Sequence, residues 1–259
     1  AGNVTATLNS LTFNGREWLP DVTIECHQVS FADYEKFPYR MQDATGTLRY
    51  YDVGEPQGAE LPVNLQPTMQ NRPVSIVGHL VGLPSIQTLG TTLPPPVGFF
   101  QCTGTKVIAH AELIDALEPK VAAILRSLHP SGEFSFTWRV ERTSPQQVEP
   151  ATSLTLDLID GEFRYDHFPY LLSQVTGQIV AKGKHWTFQD LVARDERTGQ
   201  AVLGSGTLVP TATGNQLQLT LHGTDVPLDN DLQAALSPEL QELWTKLKPQ
   251  GRINFSARV

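Results

Sequence analysis

The sequence predicts a mainly β protein: tandem antiparallel β-meander units forming curved sheets or a groove, each with one short amphipathic helix before its last strand. Three observations carry this. "NQLQLTLHG" alternates strictly, with Leu217, Leu219 and Leu221 on one side and Gln216, Gln218, Thr220 and His222 on the other, the period of a strand with one face in water. The 259 residues include 20 glycines and 19 prolines, the profile of a folded, turn-rich chain. Finally, one unit is written twice: Pro119, Leu125, Leu128, Pro130 and Gly132 meet Pro238, Trp244, Leu247, Pro249 and Gly251 at a constant offset of 119, the signature of an internal duplication.

Taken in order, residues 1–20 read as an N-terminal strand segment continuing from an upstream unit. Residues 21–142 are the first meander repeat, 143–152 a connector, and 153–259 the second repeat. In the first repeat, "YDVGEPQGAELPVNLQPTMQNRP" and "SIQTLGTTLPPPVG" read as long internal loops, the second stiffened by three prolines. "GEFSFTWRVER" then places Phe134, Phe136, Trp138 and Val140 on one side of a strand. In the second repeat, "SLTLDLI", "GEFRYDHF", "VTGQIVA", "HWTFQDLVARD" and "QAVLGSGTLV" read as strands joined by "IDGE", "AKGK", "DERTGQ" and "PTATGN". "RINFSARV" follows with Ile253, Phe255, Ala257 and Val259 on one side. Five to seven strands per unit result. Toward the N-terminus the matches continue at offsets of 128 (Gly78 with Gly206, Leu80 with Leu208) and 131 ("FPY" at Phe37 and at Phe168), so insertions fall in loops.

The repeated punctuation is a helix feeding a strand. Ser237 is predicted as N-cap and Pro238 as the first helical residue, with Leu240, Leu243, Trp244 and Leu247 on one face. Lys246 and Lys248 complement the last carbonyls, Pro249 stops the helix, and Gly251 turns the chain. In the first copy Glu118 is a weaker cap, and Val121, Ile124, Leu125 and Leu128 keep the apolar spacing. "DNDLQAAL" reads as a further helical turn or two, capped by Asp229 or Asn230.

A formal charge of −8 and scattered Lys and Arg give no footprint for nucleic acid and no polybasic membrane patch. No apolar run reaches the length of a membrane span, and "AGNVTATLNS" is not a signal peptide. Because the chain starts and stops on strand-like segments, it is expected to be a piece of a longer polypeptide, with any anchor outside it. Cys26 and Cys102 lack zinc spacing and read as small apolar strand residues. The seven histidines are dispersed, and "GSGT" at Gly204 fits a bent strand better than a nucleophile elbow or phosphate loop. "DVPLDND" groups three carboxylates, but lacks the glycine and terminal Glu of a calcium loop, and capping already accounts for Asp229. Asp157, Asp160, Glu162 and Asp166 would make a glycosidase pair only if a cleft gathered them. No catalytic, metal-binding or cofactor-binding residue is predicted.

The tandem meander, punctuated by a helix ending in "LWTKLKPQGRINF", resembles the repeats of the large bacterial AsmA-like (AsmA/TamB) envelope proteins, most clearly over Val226 to Val259 and Val107 to Val140. The resemblance implies a non-enzymatic segment in which long sheets curl into a groove whose apolar inside carries lipid acyl chains. It also implies a periplasmic or cell-envelope location, membrane contact through parts outside this chain, and phospholipid or another acyl-chain lipid as partner. The strand residues expected to face lipid are Phe134, Phe136, Trp138, Leu217, Leu219, Leu221, Ile253 and Phe255. The residues alone leave two arrangements open. If the helices at 118–128 and 237–247 close the apolar face, the same leucines are core and the chain is a structural or adhesive repeat serving as spacer or protein-binding surface. If they do not, the face is open to a lipid tail.

Overall fold

The computed structural model describes residues 2–33, 37–85, 94–117, 119–166, 168–194, 201–211 and 214–258. The strands are β1 (Asn3–Phe13), β2 (Trp18–Asp33), β3 (Phe37–Asp52), β4 (Ala59–Met69), β5 (Arg72–Leu83), β6 (Val97–Ile108), β7 (Ser131–Arg142), β8 (Ala151–Tyr165), β9 (Phe168–Lys182), β10 (His185–Arg194), β11 (Ala201–Thr211), β12 (Gly214–Pro227) and β13 (Arg252–Arg258). They form one antiparallel meander sheet in sequence order, not closed on itself. Helices α1 (Ala111–Asp115) and α2 (Pro119–Leu128) precede β7, and α3 (Asn230–Ala235) and α4 (Pro238–Leu247) precede β13.

The duplication persists in the backbone. Strands β2 to β7 and β8 to β13 follow the same order, with a helix pair at the same place in each. Lys106 and Asp225, 119 residues apart, both bulge with positive φ (53° and 57°), and each backbone N–H is met by the side chain at the equivalent position of the next strand, Ser135 Oγ at 3.3 Å and Asn254 Oδ1 at 2.7 Å. Ala109 N–H donates to Gly132 O at 3.1 Å, and Leu228 N–H to Gly251 O at 3.0 Å. Gly104 and Gly223 lie under Phe136 and Phe255: an ideal Cβ would come within 2.4 Å of one ring and 2.2 Å of the other. Glycine here makes room for an aromatic ring laid flat across the neighbouring strand. Asp43 and Gln174, at the offset of 131, share a positive φ as well (50° and 49°).

Four expectations need correction. The first repeat carries a second short helix, α1, that its sequence does not announce, whereas α3 of the second repeat is the helical turn expected at "DNDLQAAL". The stretch from Tyr51 to Pro73 is the end of β3, a turn, then β4 and the start of β5, rather than one loop. Its prolines hid the alternation of Val63, Leu65, Pro67 and Met69, all buried, with Asn64 and Gln66 exposed. Pro67 is tolerated because the β3–β4 register slips between Gln42 and Thr45, where Asp43 bulges. "IDGE" is no turn: β8 runs unbroken through Gly161, which is buried with Val175 O 3.4 Å from an ideal Cβ. Finally, Ser237 occupies the N-cap position of α4 as predicted, but its side chain makes no capping hydrogen bond, whereas Asp229 caps α3 by accepting from Leu232 N–H at 3.0 Å. The cap at Glu118, the turn at 195–200, part of the turn at 210–215 and most of the Ser85–Gly98 loop lie outside the described residues, as do the side chains of Phe37, Val121 and Ile124.

Contacts divide the chain into two compact units that cut across the repeats: Ala1–Tyr34 with Arg40–Thr105 and Phe136–Leu154, and Glu35–Tyr39 with Lys106–Ser135 and Thr155–Val259. The core of the first unit is the cluster of Cys26, Val63 and Leu65, with Leu48, Ile76 and Phe100 packed against it. Both cysteines are free and buried, and burial pushes the Cys102 thiol up to about 11. In the second unit the buried apolar side chains are mostly small, among them Val107, Ala122, Val175, Ala181, Val226 and Ala235. No leucine, phenylalanine or tryptophan among its described residues is buried.

Candidate functional site

The large apolar residues of the second unit instead lie on one face of its sheet. Side chains directly opposed in an antiparallel ladder share a face. Leu217, Leu219 and Leu221 of β12 stand opposite Leu208, Gly206 and Gly204 of β11, and those three stand opposite Trp186, Phe188 and Leu191 of β10. On the other side of β12, Leu221 faces Ala257, Gly223 faces Phe255, and Val226 faces Ile253 across the Asp225 bulge. A continuous apolar surface therefore spans β10 to β13, while Gln216, Gln218, Thr220 and Ser205 occupy the reverse.

This surface is only half covered. Leu217 is 42 % exposed and Ile253 37 %, while Leu219, Leu221, Phe255, Trp186, Phe188 and Leu208 are half-buried. The glycines at 204 and 206 make room for Leu221 and Leu219, whose Cδ2 atoms would stand 3.2 and 2.7 Å from ideal Cβ atoms. Neighbouring side chains thus lie along the sheet and shield one another laterally. Helix α3 packs on β9 and buries Ala235, but α4 buries none of its residues. Of its predicted apolar stripe, Leu240, Leu243 and Leu247 are exposed at 47, 50 and 68 %, and Trp244 is half-buried. The small recess bordered by Tyr170, Leu172, Val202 and Val226 holds about 20 Å³, room for about one water and none for an acyl chain.

Of the eight residues predicted to face lipid, Leu217, Leu219, Leu221, Ile253 and Phe255 are thus brought together. Phe134 belongs to the same unit and is half-buried. Phe136 and Trp138 belong to the first unit, Phe136 half-buried over Gly104 and Trp138 exposed. Sequence reasoning missed Trp186, Phe188 and Leu191, because the register shift between Phe188 and Leu191 breaks the alternation that would have grouped them. The signal that could have found them is "GSG" on the neighbouring strand, paired opposite two of the three.

Polar groups are organised differently. In the first unit a ladder crosses the strands: Asn9 donates to Asp21 at 2.9 Å, Arg49 grips Asp21 with two bonds of 2.9 and 2.6 Å, and Tyr51 donates to Glu60, which His79 meets at 2.7 Å. The Arg49 guanidinium, with Asn9, holds the Asp21 carboxyl down to about 2. Hydrogen bonds from Tyr51 and then His79 hold Glu60 below the usual carboxylate range, and that bond to Glu60 raises the Tyr51 phenol. Burial pushes Tyr50 up to about 12.

The carboxylates weighed for chemistry are dispersed among structural partners. Asp157 accepts from Gln178 at 2.7 Å, Glu162 from Ser131 at 2.9 Å, Asp166 meets His129 at 2.7 Å, and Asp225 pairs with Arg252 at 2.8 Å. Among the described residues no group of three or more His, Cys, Asp or Glu is placed to hold a metal ion. No described helix is long and apolar enough to cross a membrane.

Fold and site together define a class: an open, single-sheet β-meander repeat protein with one apolar sheet face half exposed. No family model, curated protein or solved structure matches the chain.

Proposed function

We propose that this chain is a non-enzymatic, lipid-handling segment whose apolar sheet face accepts acyl chains, in the manner of the AsmA-like envelope proteins it resembles. In that setting it takes part in lipid transport or outer-membrane biogenesis in the cell envelope, held at the membrane by parts of the protein beyond this chain. The observation that carries the reading is the continuous apolar surface over β10 to β13, on which no large side chain is fully buried. A surface of that kind favours a cover. Each methylene removed from water contributes about 0.8 kcal/mol. A tail of about 16 carbons shielded on one side gains roughly 6 kcal/mol, comparable with the ordering cost of association, so retention requires both tails of a lipid.

The second reading, a structural or adhesive repeat that binds protein, is favoured by the exposed leucine stripe of α4. Native mass spectrometry of the purified chain, followed by solvent extraction and lipid analysis, separates the two, with Leu219→Asp and Phe255→Asp as controls. Co-purifying phospholipid that both folded variants lose supports the lipid reading. A lipid-free protein whose variants unfold overturns it in favour of the scaffold.

A further inference from the structure

The junction between α2 and the β8–β9 hairpin lies wholly within the second unit and uses four contacts. Ser127 O accepts from Asp166 N–H at 2.9 Å. The His129 ring meets the Asp166 carboxylate at 2.7 Å, and Ser131 Oγ donates to Glu162 at 2.9 Å. Gly132 backs so closely onto β8 that an ideal Cβ would stand 1.9 Å from Asp160 O. The start of β1 repeats the last feature inside the first unit: Gly2 backs onto Gln28 O at 2.0 Å.

The duplication maps this junction onto the end of α4. Ser127, His129, Ser131 and Gly132 become Lys246, Lys248, Gln250 and Gly251. The backbone is the same: φ is 41° at His129 and 49° at Lys248, 93° at Gly132 and 99° at Gly251. Yet nothing lies within 4 Å of a Cβ at Gly251, Leu247 is 68 % exposed where its counterpart Leu128 is half-buried, and β13 is an edge strand. An edge presenting unpaired backbone groups is a template for another strand.

We infer that the β13 edge with the C-terminal end of α4 is a docking surface for a further repeat of this same fold, entering by its first hairpin. Its first strand pairs with β13 as β8 pairs with β7. Its hairpin turn presents an acidic residue, in the place of Asp166, to Lys248. The exposed lysines at 246 and 248 complement that charge, as His129 does within the chain. Leu247 and Gly251 are covered in the process.

The test extends the full chain after Val259 with a second copy of residues 141–259, which continues the register because Val140 and Val259 are equivalent positions. Hydrogen exchange of the β13 amides is followed. The expected result is at least tenfold slower exchange over Arg252–Arg258 than in the unextended chain. Lys248→Glu should reverse part of the gain, and Asp166→Lys in the appended copy alone should restore it. Three results overturn the inference: β13 exchanging at the unextended rate beside a folded appended repeat, an appended repeat that stays unfolded, or an unextended chain whose β13 is already protected in a sedimenting dimer.

Discussion

The contact between Gly223 and Phe255 can be weighed by a double-mutant cycle. An ideal Cβ at Gly223 would lie 2.2, 2.7 and 2.8 Å from Cε1, Cδ1 and Cζ of Phe255, so Gly223→Ala forces the ring off the strand. Phe255 is half-buried. Lifting it forfeits roughly half of the 1.5–3 kcal/mol that full burial of such a side chain contributes, about 1 kcal/mol. Against this, alanine in a strand interior is favoured over glycine by roughly 0.5–1 kcal/mol, because less backbone entropy is lost on folding. The two effects nearly cancel, so Gly223→Ala alone should change stability by less than about 0.5 kcal/mol. In a Phe255→Ala background the clash is gone and the same substitution should stabilise by roughly 0.5–1 kcal/mol. The coupling is therefore about 1 kcal/mol, measurable by urea unfolding of the four proteins. Gly104 with Phe136 should give the same sign and size. A coupling within about 0.3 kcal/mol of zero at both sites would show that the rings do not rest on the glycines, and the account of the apolar face would fail with it.

Asp21 titrates at about 2 when folded against 3.8 ordinarily, so its contribution is complete above pH 4 and fades as pH falls toward 2. Asp21→Asn should cost less than about 1 kcal/mol at pH 6, as expected of an exposed pair, and denaturant titrations should find that gap narrowing below pH 4 and closing as pH falls through about 2. Cys26 and Cys102 are each 8 % exposed, so a thiol reagent at pH 8 should label neither in the native protein and both in urea, with native labelling of Cys102 contradicting its burial. On α4, Leu243→Lys and Leu247→Lys should each shift thermal unfolding by no more than about 0.5 kcal/mol. Ala122→Leu, at a position only 1 % exposed, should cost about 1–3 kcal/mol by overpacking.

The meander and the duplication were legible because period-2 alternation and turn residues are local signals, and because equivalent residues recur at a fixed offset. The helix boundaries of α2 and α4 and the turn at Gly251 follow from Pro-initiated and Pro-terminated punctuation, whereas the αL exit at Lys248 shows only in the structure. What escaped was set across strands. Pro62 and Pro67 argue against a central strand locally, yet β4 lies between β3 and β5, with Pro67 opposite a bulge that only the neighbouring strand reveals. Gly161 looks like a turn residue in sequence, whereas it sits buried within β8, where an ideal Cβ would come 3.1 Å from the Phe163 ring. Helix α1 was missed because His110 provides no side-chain cap, while Asp229, its equivalent, advertises α3. The candidate face was half legible: β12 and β13 show it in their alternation, but the bulge in β10 scrambles the contribution of Trp186, Phe188 and Leu191.

What the two copies share bears on what kind of surface this is. They agree on positive-φ positions, on backbone hydrogen bonds and on glycines beneath aromatic rings, which are features of shape in the sheet itself. They differ in the apolar side chains the sheet carries: Phe100, packed against the first unit's core, is replaced by half-buried Leu219, the buried Cys102 by half-buried Leu221, and the exposed Trp138 by Ala257. A pocket that recognised one ligand by fit would tie volume and rotamer at such positions, because close-packed contacts respond to a single methylene. Exchange among apolar residues of different shape is instead compatible with a cover that responds to area, since transfer from water scales with apolar surface and is non-directional. Fluid acyl chains respond to a surface in that way, and a rigid protein partner does not. The same comparison separates the two surfaces of the second unit: the face over β10 to β13 varies within apolar chemistry, whereas the α4 end keeps a defined backbone and exchanges His129 for Lys248, a donor for a donor. Lipid analysis should therefore respond to Leu219→Asp and be indifferent to Lys248→Glu, while exchange at β13 in the extended chain should respond to Lys248→Glu; a single substitution that moved both readouts would mean that one surface, not two, does the binding.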